Sequence, residues 1–252
     1  MKKGFTLLEL AIVLVIVGLL IGGILVAKSL ITAVRVQSFV RQIQQFDVAA
    51  QNFYTTYKQI PGDSSLFSVA GDNDSNIEDD LAAGGDGDFL AEFANYWVHL
   101  YRSGMLKDSY VAAAASGVVE GVNVPLAKIG KNAGIMVGQP NDAGAPDNIS
   151  FNGINQYYIS EFTGATTDFN TSNAITAADA LATDRKMDDG LANSGDIVAQ
   201  GASTDVSVTP NATAGSGCVL STGKSRYLVS STSAYPCSLA IKLSFTQSKD
   251  LY

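Results

Sequence analysis

The chain has 252 residues and a net charge of −8, with 16 Lys and Arg against 24 Asp and Glu. This acidic balance argues against nucleic acid as the main partner, because binding phosphates requires a surplus of basic side chains. The single histidine, His99, argues against a multi-histidine metal site and against a nucleophile–histidine triad.

The first predicted element is an unbroken apolar run from Phe5 to Ala27, in which Glu9 is the only charge. A run of about 23 apolar residues is long enough to cross a bilayer as a helix. Lys2 and Lys3 precede it, and positive charge before a membrane helix stays on the cytoplasmic side. We therefore expect a single-pass anchor whose N-terminus is cytoplasmic and whose C-terminal bulk lies outside.

Glu9 and the bond between Gly4 and Phe5 carry the chemistry of this anchor. The apolar run is too long for an ordinary secretory signal, so we expect cleavage before the run, where Gly4 lets a protease approach the bond. Cleavage would create an α-amino group at Phe5 that could neutralise Glu9 of a neighbouring molecule. A carboxylate in a membrane helix costs about 2.5–3.5 kcal/mol near the bilayer centre and is functional by default. The alternative is a glutamate tolerated near the headgroups.

The segment KKGFTLLE, from Lys2 to Glu9, followed by an apolar helix, resembles the prepilin signal of type IV pilins and type II secretion pseudopilins. This resemblance implies cleavage after Gly4 by prepilin peptidase and N-methylation of Phe5. It also implies assembly with other pilin or pseudopilin subunits, with Thr6 and Glu9 at the assembly contact. The implied location is the inner membrane with a periplasmic head, and then a pilus or pseudopilus in the periplasm or at the cell surface.

Val26 stands where many major pilins carry a proline, which favours a minor pilin or minor pseudopilin. The expected organisation is a leader at 1–4 and a transmembrane, filament-core half of the helix at 5–27. A second half of the helix at 28–58 is expected to pack on a globular α+β head at 59–252.

The helix is expected to continue beyond the membrane, from Thr6 to about Tyr57, where Pro61-Gly62 stops the pattern. Apolar residues recur at alternating steps of three and four, which favours a seam that packs against a sheet, with a free coiled coil as the alternative. The seam consists of Val36, Phe39, Ile43, Phe46, Ala50, Phe53 and Tyr57. The opposite, polar face consists of Gln37, Arg41, Gln42, Gln44, Gln45, Asp47, Gln51 and Asn52.

A loop rich in Gly, Asp, Asn and Ser follows, and part of it resembles half of a calcium loop. Asp72, Asp74 and Asn76 place oxygen ligands at alternate positions, as at the start of an EF-hand loop. The pattern then fails, because Ile77 stands where glycine is required and the final bidentate glutamate is missing. Calcium is therefore a candidate cofactor, and a solvated acidic loop is the alternative.

A second helix is predicted over Phe89 to Met105, with Gly104 as its C-terminal stop. One face is expected to be apolar, and it consists of Phe89, Phe93, Trp97, Leu100 and Tyr101. His99 is expected to be satisfied at the edge of this aromatic cluster rather than to be catalytic.

The remaining chain alternates short apolar runs with turn residues, as in an antiparallel sheet. The predicted strands are Val118–Val124, Gly134–Val137, Gln156–Phe162, Val206–Val208, Tyr227–Val229 and Ser238–Phe245. A short helix is expected to start at a capping box formed by Thr176 and Asp179 and to end near Asp188-Asp189-Gly190.

Cys218 and Cys237 are expected to form a disulfide outside the cytoplasm, closing a loop of about 20 residues worth roughly 3 kcal/mol. Two unpaired buried thiols are the alternative. Asp184, Asp188 and Asp189 could be combined for acid–base chemistry, but no nucleophile or substrate pocket is indicated around them. The chain is therefore not expected to be an enzyme.

Together these features predict an α+β, pilin-like fold: a long N-terminal helix packed on an antiparallel sheet, with a head elaborated by loops. The predicted function is that of a structural subunit of a type IV pilus or a type II secretion pseudopilus. The alternative is a membrane-anchored binding protein or adhesin, whose head recognises a secreted substrate or a surface without obligatory polymerisation.

Overall fold

A computed structural model describes the long N-terminal helix and most of the head. The described residues are 7–67, 71, 73, 75–77, 91–112, 118–138, 154–162, 171–172, 174–201, 217–219, 226–230, 234–235 and 237–244. Outside them lie several predicted features, namely residues 1–6, Asp72, Asp74, Phe89, Val206–Val208 and Phe245. The arrangement is α+β and pilin-like, so the predicted fold class is confirmed.

Helix α1 runs without a break over Leu7–Tyr57, which corresponds to about 75 Å. It ends at the predicted position. The backbone N–H of Lys58 donates to Tyr54 O at 2.8 Å, and Lys58 itself has a φ of 59°. Gly62, with a φ of 94°, then turns the chain back toward the head, in a conformation that glycine adopts without strain.

The predicted seam of α1 packs inside the head. Six of its seven residues are buried and the seventh, Tyr57, is half-buried. Because the seam is covered by this chain's own head, the alternative of a free coiled coil is wrong for this part of the helix.

Gln42 corrects the predicted polar face of α1, because its side chain is only 6 % exposed. Its amide nitrogen donates to Leu126 O at 2.8 Å, and its amide oxygen accepts the Lys128 backbone N–H at 2.9 Å. The Gln42 side chain therefore makes the two hydrogen bonds that a neighbouring strand would otherwise make, and it attaches the 126–128 loop to the helix. Asp47, also predicted to be on the polar face, is half-buried.

All strand pairs of the sheet are antiparallel, and its strands lie in the order β1-β2-β6-β5-β4, with β3 pairing beside β2. The strands are β1 Gly134–Gly138, β2 Gln156–Phe162, β3 Thr171–Ser172, β4 Asn193–Ser194, β5 Ile197–Gly201 and β6 Cys237–Lys242. The register aligns Val137, Tyr157, Ile241 and Ile197 across four strands on one face. The hydroxyl of Tyr157 reaches Asp47 of α1, so this is the face that the long helix covers.

Two strands are confirmed, the predicted Gly134–Val137 and Gln156–Phe162. The predicted Ser238–Phe245 is found as β6, which begins one residue earlier at Cys237 and ends at Lys242. The sequence did not predict β3, β4 or β5, and the last of these pairs with β6 along its whole length.

Two predicted strands are wrong. In Val118–Val124, Gly121 has a φ of 80° and donates its N–H to the Val124 carbonyl at 2.7 Å, so the segment folds into a turn. Turn chemistry outweighs the β preference of its valines here. Tyr227–Val229 makes only an isolated bridge, between Tyr227 and Val219.

Two shorter helices complete the described head. Helix α2 spans Ala91–Arg102, and Gly104 ends it with a φ of 76°, as predicted. Helix α3 spans Ala177–Met187. Its predicted cap is confirmed, because the side chain of Thr176 accepts the backbone N–H of Asp179 at 3.0 Å.

Helix α2 is buried on more sides than an amphipathic pattern predicts. Phe93, Trp97 and Leu100 are buried as expected, but Tyr101 is 38 % exposed, so its predicted place on the buried face is wrong. Polar residues of α2 are also buried, namely Glu92, Asn95 and His99.

Candidate functional site

The first half of α1 presents an apolar surface that the other described residues of the chain do not cover. The segment Leu7–Ile24 is long and apolar enough to cross a membrane, and none of it is buried within the chain. Exposed apolar side chains continue to Leu30, Ile31 and Val34. A surface of this size is unfavourable in water, so it indicates contact with lipid or with other protein chains. We call residues 7–34 the exposed half of α1.

Glu9 lies on the first described turn of the exposed half. A charge near the bilayer centre costs about 2.5–3.5 kcal/mol, and a carboxylate in a membrane helix is functional by default. Gly4, Phe5 and Thr6 lie outside the described residues, so their roles stay predictions.

The exposed half contains glycines that pack against no other part of the chain that the structure describes. A Cβ atom added at Gly18, Gly22 or Gly23 would meet no atom within 4 Å. Gly18 and Gly22 are four residues apart, and this spacing in an apolar helix is typical of close helix–helix packing in membranes. The spacing is visible in the sequence, and it is the clearest site feature that the sequence analysis missed.

Aromatic side chains hold the second half of α1 in the head. Phe46 packs edge-on against Trp97 of α2, with ring centroids 4.7 Å apart. Phe53 contacts Tyr57 and Phe67 at 4.7 and 5.5 Å. Fully burying one such side chain stabilises a fold by about 1.5–3 kcal/mol. Aromatic packing therefore anchors the second half of α1 in the head.

A polar chain inside this contact joins α1, α2 and the sheet. The Tyr157 hydroxyl donates to Asp47 Oδ1 at 3.0 Å and lies 3.4 Å from the Tyr96 hydroxyl. Burial raises the pKa of Asp47, and hydrogen bonds from Tyr157 and Ser244 oppose this shift. Burial also raises the pKa of Tyr96 and Tyr157 far above the ordinary value, so both hydroxyls stay protonated and able to donate.

His99 has the structural role that the sequence predicted. It is fully buried, and its Nδ1 accepts the Gly62 backbone N–H at 3.0 Å. Its ring stacks on Phe67 at 4.9 Å. Because Nδ1 accepts a hydrogen bond, it carries no proton, and the ring serves to fix the turn after α1.

Three carboxylates come together after α3, with ligand atoms of Asp184, Asp188 and Asp189 within 4.8 Å of one another. Each accepts hydrogen bonds from the chain itself. Asp184 accepts from Gly190 N–H at 2.8 Å and from the Tyr227 hydroxyl at 2.6 Å. Burial raises the pKa of Asp184, and these two hydrogen bonds oppose the shift. The arrangement closes the turn between α3 and β5.

The loop predicted to bind calcium is fastened to the head by other residues. The Asp63 carboxylate accepts the Ser75 backbone N–H at 2.9 Å, and Asn155 Oδ1 accepts the Ile77 N–H at 2.9 Å. Asn76 is half-buried. Because Asp72 and Asp74 lie outside the described residues, the calcium site stays a prediction.

The disulfide between Cys218 and Cys237 is present, with Cα atoms 4.9 Å apart. Both residues are buried. The bridge joins the 217–219 segment to the start of β6, and Leu228 N–H donates to Cys218 O at 2.8 Å. The hydroxyl of Tyr227, the residue before Leu228, donates to Asp184 of α3, so this segment is also attached to α3.

Residues 1–25 match the family described as "Prokaryotic N-terminal methylation motif". This motif is typical of type IV pilins and type II pseudopilins. It implies processing by prepilin peptidase and assembly with other pilins, and it is consistent with an inner-membrane anchor and a periplasmic head. Neither the curated proteins nor the solved structures contain a match to the chain. The match thus includes Glu9, Gly18 and Gly22 and ends within the exposed half of α1.

Proposed function

We propose that this protein is a minor subunit of a type IV pilus or of a type II secretion pseudopilus. It is inserted in the inner membrane, cut after Gly4, methylated at Phe5 and assembled through α1. The observation that carries the proposal is that one unbroken helix has an uncovered apolar half, which begins in the methylation motif, and a second half embedded in the head. The position of Val26, where many major pilins have proline, supports a minor role.

In this proposal the assembled subunits neutralise the charge that each brings into the membrane. Cleavage after Gly4 exposes the amine of Phe5, and N-methylation leaves an amine of this kind positively charged. The amine of one subunit pairs with Glu9 of a neighbouring subunit. This pairing offsets the cost of placing the Glu9 carboxylate in the membrane. Gly18 and Gly22 allow the apolar helices to approach closely. The lipid-facing anchor thus becomes a helix–helix contact.

Processing is tested by mass spectrometry of the full chain purified from membranes. We expect an N-terminus at Phe5 that carries one methyl group. Gly4→Val is expected to leave the leader attached, because the added side chain blocks access to the bond. An N-terminus at Met1 in the wild-type protein, or a chain cut near residue 30, would contradict the proposal.

Assembly is tested by comparing Glu9→Ala with Asp108→Ala, which removes an exposed acid of the head. We expect Glu9→Ala to remove this protein from the sedimented filaments while its head stays folded and in the membrane, and Asp108→Ala to sediment with the filaments normally. A simple membrane-anchored binding protein does not need Glu9. If the Glu9→Ala variant retains the biological function of the wild type, the adhesin alternative is favoured.

A further inference from the structure

The sheet shows which side of the head lies nearest to the exposed half of α1. Strand β2 contacts α1 at Asp47 through Tyr157. The residue three places further along β2 pairs with the first residue of β1, which bridges to Leu126. The Leu126 carbonyl accepts the hydrogen bond from Gln42, which is nearer to the exposed half than Asp47 is. Strand β2 therefore runs toward the exposed half and ends on that side of the head, at Phe162.

This side of the head lies close to the lipid surface. As a helix, residues 7–34 extend over about 42 Å, which matches the thickness of a bilayer with its headgroups, about 40–45 Å. Val36, the first buried residue of the seam, therefore lies at the surface, and Gln42 lies about 9 Å beyond it. That distance is comparable to the Debye length of about 8 Å. Membrane helices tilt by about 20° on average, which brings one side of a head still closer.

Exposed aliphatic side chains gather on this side of the head. A turn is attached to the end of β2, because its Glu120 carboxylate accepts the Phe162 backbone N–H at 2.7 Å. Val119 and Val122 of this turn, and Leu126 after it, are each about half exposed. A cluster of exposed aliphatic residues is unfavourable in water and indicates contact with lipid or with another protein.

Basic side chains accompany this aliphatic cluster. Arg41 is exposed on α1, and Lys128 and Lys131 are exposed on the loop before β1. Glu120 and Glu161 are the acids that the described contacts place beside them. Both are half-buried, and each accepts a hydrogen bond from the head. The exposed charge described here is therefore positive, although the whole chain has a net charge of −8.

The orientation of the anchor does not account for this positive charge. Chain segments close to a membrane helix on its non-cytoplasmic side are normally poor in Lys and Arg. Arg35 and Arg41 nevertheless follow the apolar run within about 15 residues of its end at Ala27, on the side of the head. An anionic lipid surface attracts basic residues that lie within about a Debye length of it.

We propose that this side of the head rests on anionic phospholipids of the membrane that holds α1, before the subunit assembles. The aliphatic side chains enter the boundary between headgroups and acyl chains, and the basic side chains bind the phosphates. The inference rests on the membrane anchor of the proposed function and adds a lipid-binding surface to the head. We call this surface the lipid-facing patch, and it consists of Arg41, Val119, Val122, Leu126, Lys128 and Lys131.

The combination of aliphatic and basic residues favours lipid over a protein partner. The aliphatic cluster alone would also fit another subunit, but the basic residues would then require a matching acidic surface on that subunit. An anionic leaflet supplies both the negative charge and the apolar layer beneath it. Because α1 is long and apolar enough to cross that leaflet, the patch meets the lipid at a high effective concentration.

Photocross-linking to lipid tests the contact directly. The photoreactive residue p-benzoylphenylalanine replaces Leu126 in the full chain, and a matched variant carries it at Leu66, which is exposed beyond the far end of α1. Each protein is reconstituted as single copies in nanodiscs of phosphatidylcholine, with or without phosphatidylglycerol. After irradiation, mass spectrometry identifies phospholipid adducts on the peptide that carries the probe.

We expect position 126 to form phospholipid adducts, with a severalfold higher yield when phosphatidylglycerol is present and a loss of this excess at high salt. Position 66 is expected to form none. No adduct at position 126, or equal yields with the two lipid compositions, would overturn the inference and leave processing and assembly as proposed. In native membranes, a cross-link from position 126 to another protein in place of lipid would equally overturn it.

The basic residues are tested by removing their charge. Arg41→Gln combined with Lys128→Gln is expected to reduce the excess of adducts that phosphatidylglycerol produces at position 126. Lys58→Gln combined with Arg102→Gln is the matched control, because these residues are also exposed and the described contacts place neither of them in the patch. An unchanged excess in the first double variant would contradict the inference.

Lysine reactivity provides a further test that needs no substitution. The rate of acetylation by N-hydroxysuccinimidyl acetate is measured at Lys128 and at Lys58, which is exposed at the far end of α1. Because a bound headgroup shields the amine, Lys128 is expected to react severalfold more slowly when phosphatidylglycerol is present. Lys58 is expected to react at the same rate in both membranes. An equal change at the two lysines would show that the patch is not in contact with lipid.

Discussion

The two halves of α1 share one backbone geometry but differ in what covers their side chains. From Leu7 to Val34, the large apolar residues whose side chains the structure describes are exposed around the helix, whereas from Val36 onward apolar residues are buried at every third or fourth position. No break in the helix marks the boundary. Helix formation in α1 therefore does not depend on burial of its side chains within the chain. The second half finds its partner within the chain, and the first half requires a partner outside it.

The strongest test of this difference compares one large apolar residue from each half. Phe53→Ala removes a fully buried ring and is expected to lower the free energy of unfolding by about 3–5 kcal/mol. Leu19→Ala removes a side chain that is 72 % exposed and is expected to leave the unfolding of the head unchanged. Both are measured by urea unfolding of the full chain in detergent, followed by the fluorescence of the single tryptophan, Trp97. Equal shifts in the two variants would disprove the difference.

The next largest effect concerns the head alone. Replacing Cys218 and Cys237 with alanine is expected to destabilise the head by about 3 kcal/mol, because the bridge restricts the unfolded chain. Chemical reduction of the wild-type protein should give the same unfolding midpoint as the double variant. Membrane insertion and processing should be unchanged, since both depend on the exposed half. Loss of processing in the double variant would show that processing at the exposed half depends on the stability of the head.

A smaller effect is expected where Gln42, in the second half of α1, binds the loop at 126–128. Gln42→Ala leaves Leu126 O and Lys128 N–H without their partner and should cost about 1–3 kcal/mol. Gln44→Ala is the matched control, because Gln44 is an exposed glutamine two residues away, and its effect should stay within about 0.5 kcal/mol. The same urea assay measures both. Equal midpoints for the two variants would show that the loop at 126–128 is not held by Gln42.

The smallest expected effect is a pH dependence of stability that arises from Asp47 in the second half of α1. Because burial raises the pKa of Asp47 above 3.8, its contribution to stability is fully present below pH 3.8 and is lost as the pH rises through the raised value. Asp47→Asn keeps an acceptor for Tyr157 and removes the charge. It should therefore be more stable than the wild type at neutral pH and similar to it at acidic pH.

Burial raises the pKa of Asp184 as well. Because Asp47→Asn leaves Asp184 unchanged, the difference in stability between this variant and the wild type reports on Asp47 alone. Unfolding midpoints measured from pH 3 to pH 8 give the difference curve. A difference that does not change with pH would contradict the role given to Asp47.

Local patterns predicted several elements correctly because a short stretch of sequence is enough to indicate each of them. The seam from Val36 to Phe53 follows the helical repeat, and the cap at Thr176 and the stop at Gly104 follow backbone hydrogen bonding and left-handed geometry. The strand Gln156–Phe162 was predicted with its bounds. In each case the residue pattern that indicates the element lies within a short stretch, although the contacts that stabilise β2 and the seam come from distant segments.

Other features depend on partners that are distant in the sequence. Gln42 has a polar side chain and was assigned to the solvent face, but its partners lie 84 and 86 residues away. The short strand β5 carries little pattern of its own and exists because β6 pairs with it. The burial of Gln42 and the pairing of β5 thus depend on which distant segment is available. The wrong strand at Val118–Val124 has a local cause instead, because Gly121 turns the chain between Val119 and Val122 despite their β preference.

The membrane-length apolar run, the processing motif at its start and the charge of Glu9 within that run can all be read from residue type and spacing along the chain. None of the three requires knowledge of the head. The strand order β1-β2-β6-β5-β4, the burial of Gln42 and the contact of Tyr157 with Asp47 are set by packing. These features join residues far apart in the chain, and their energies arise only when the segments pack against one another.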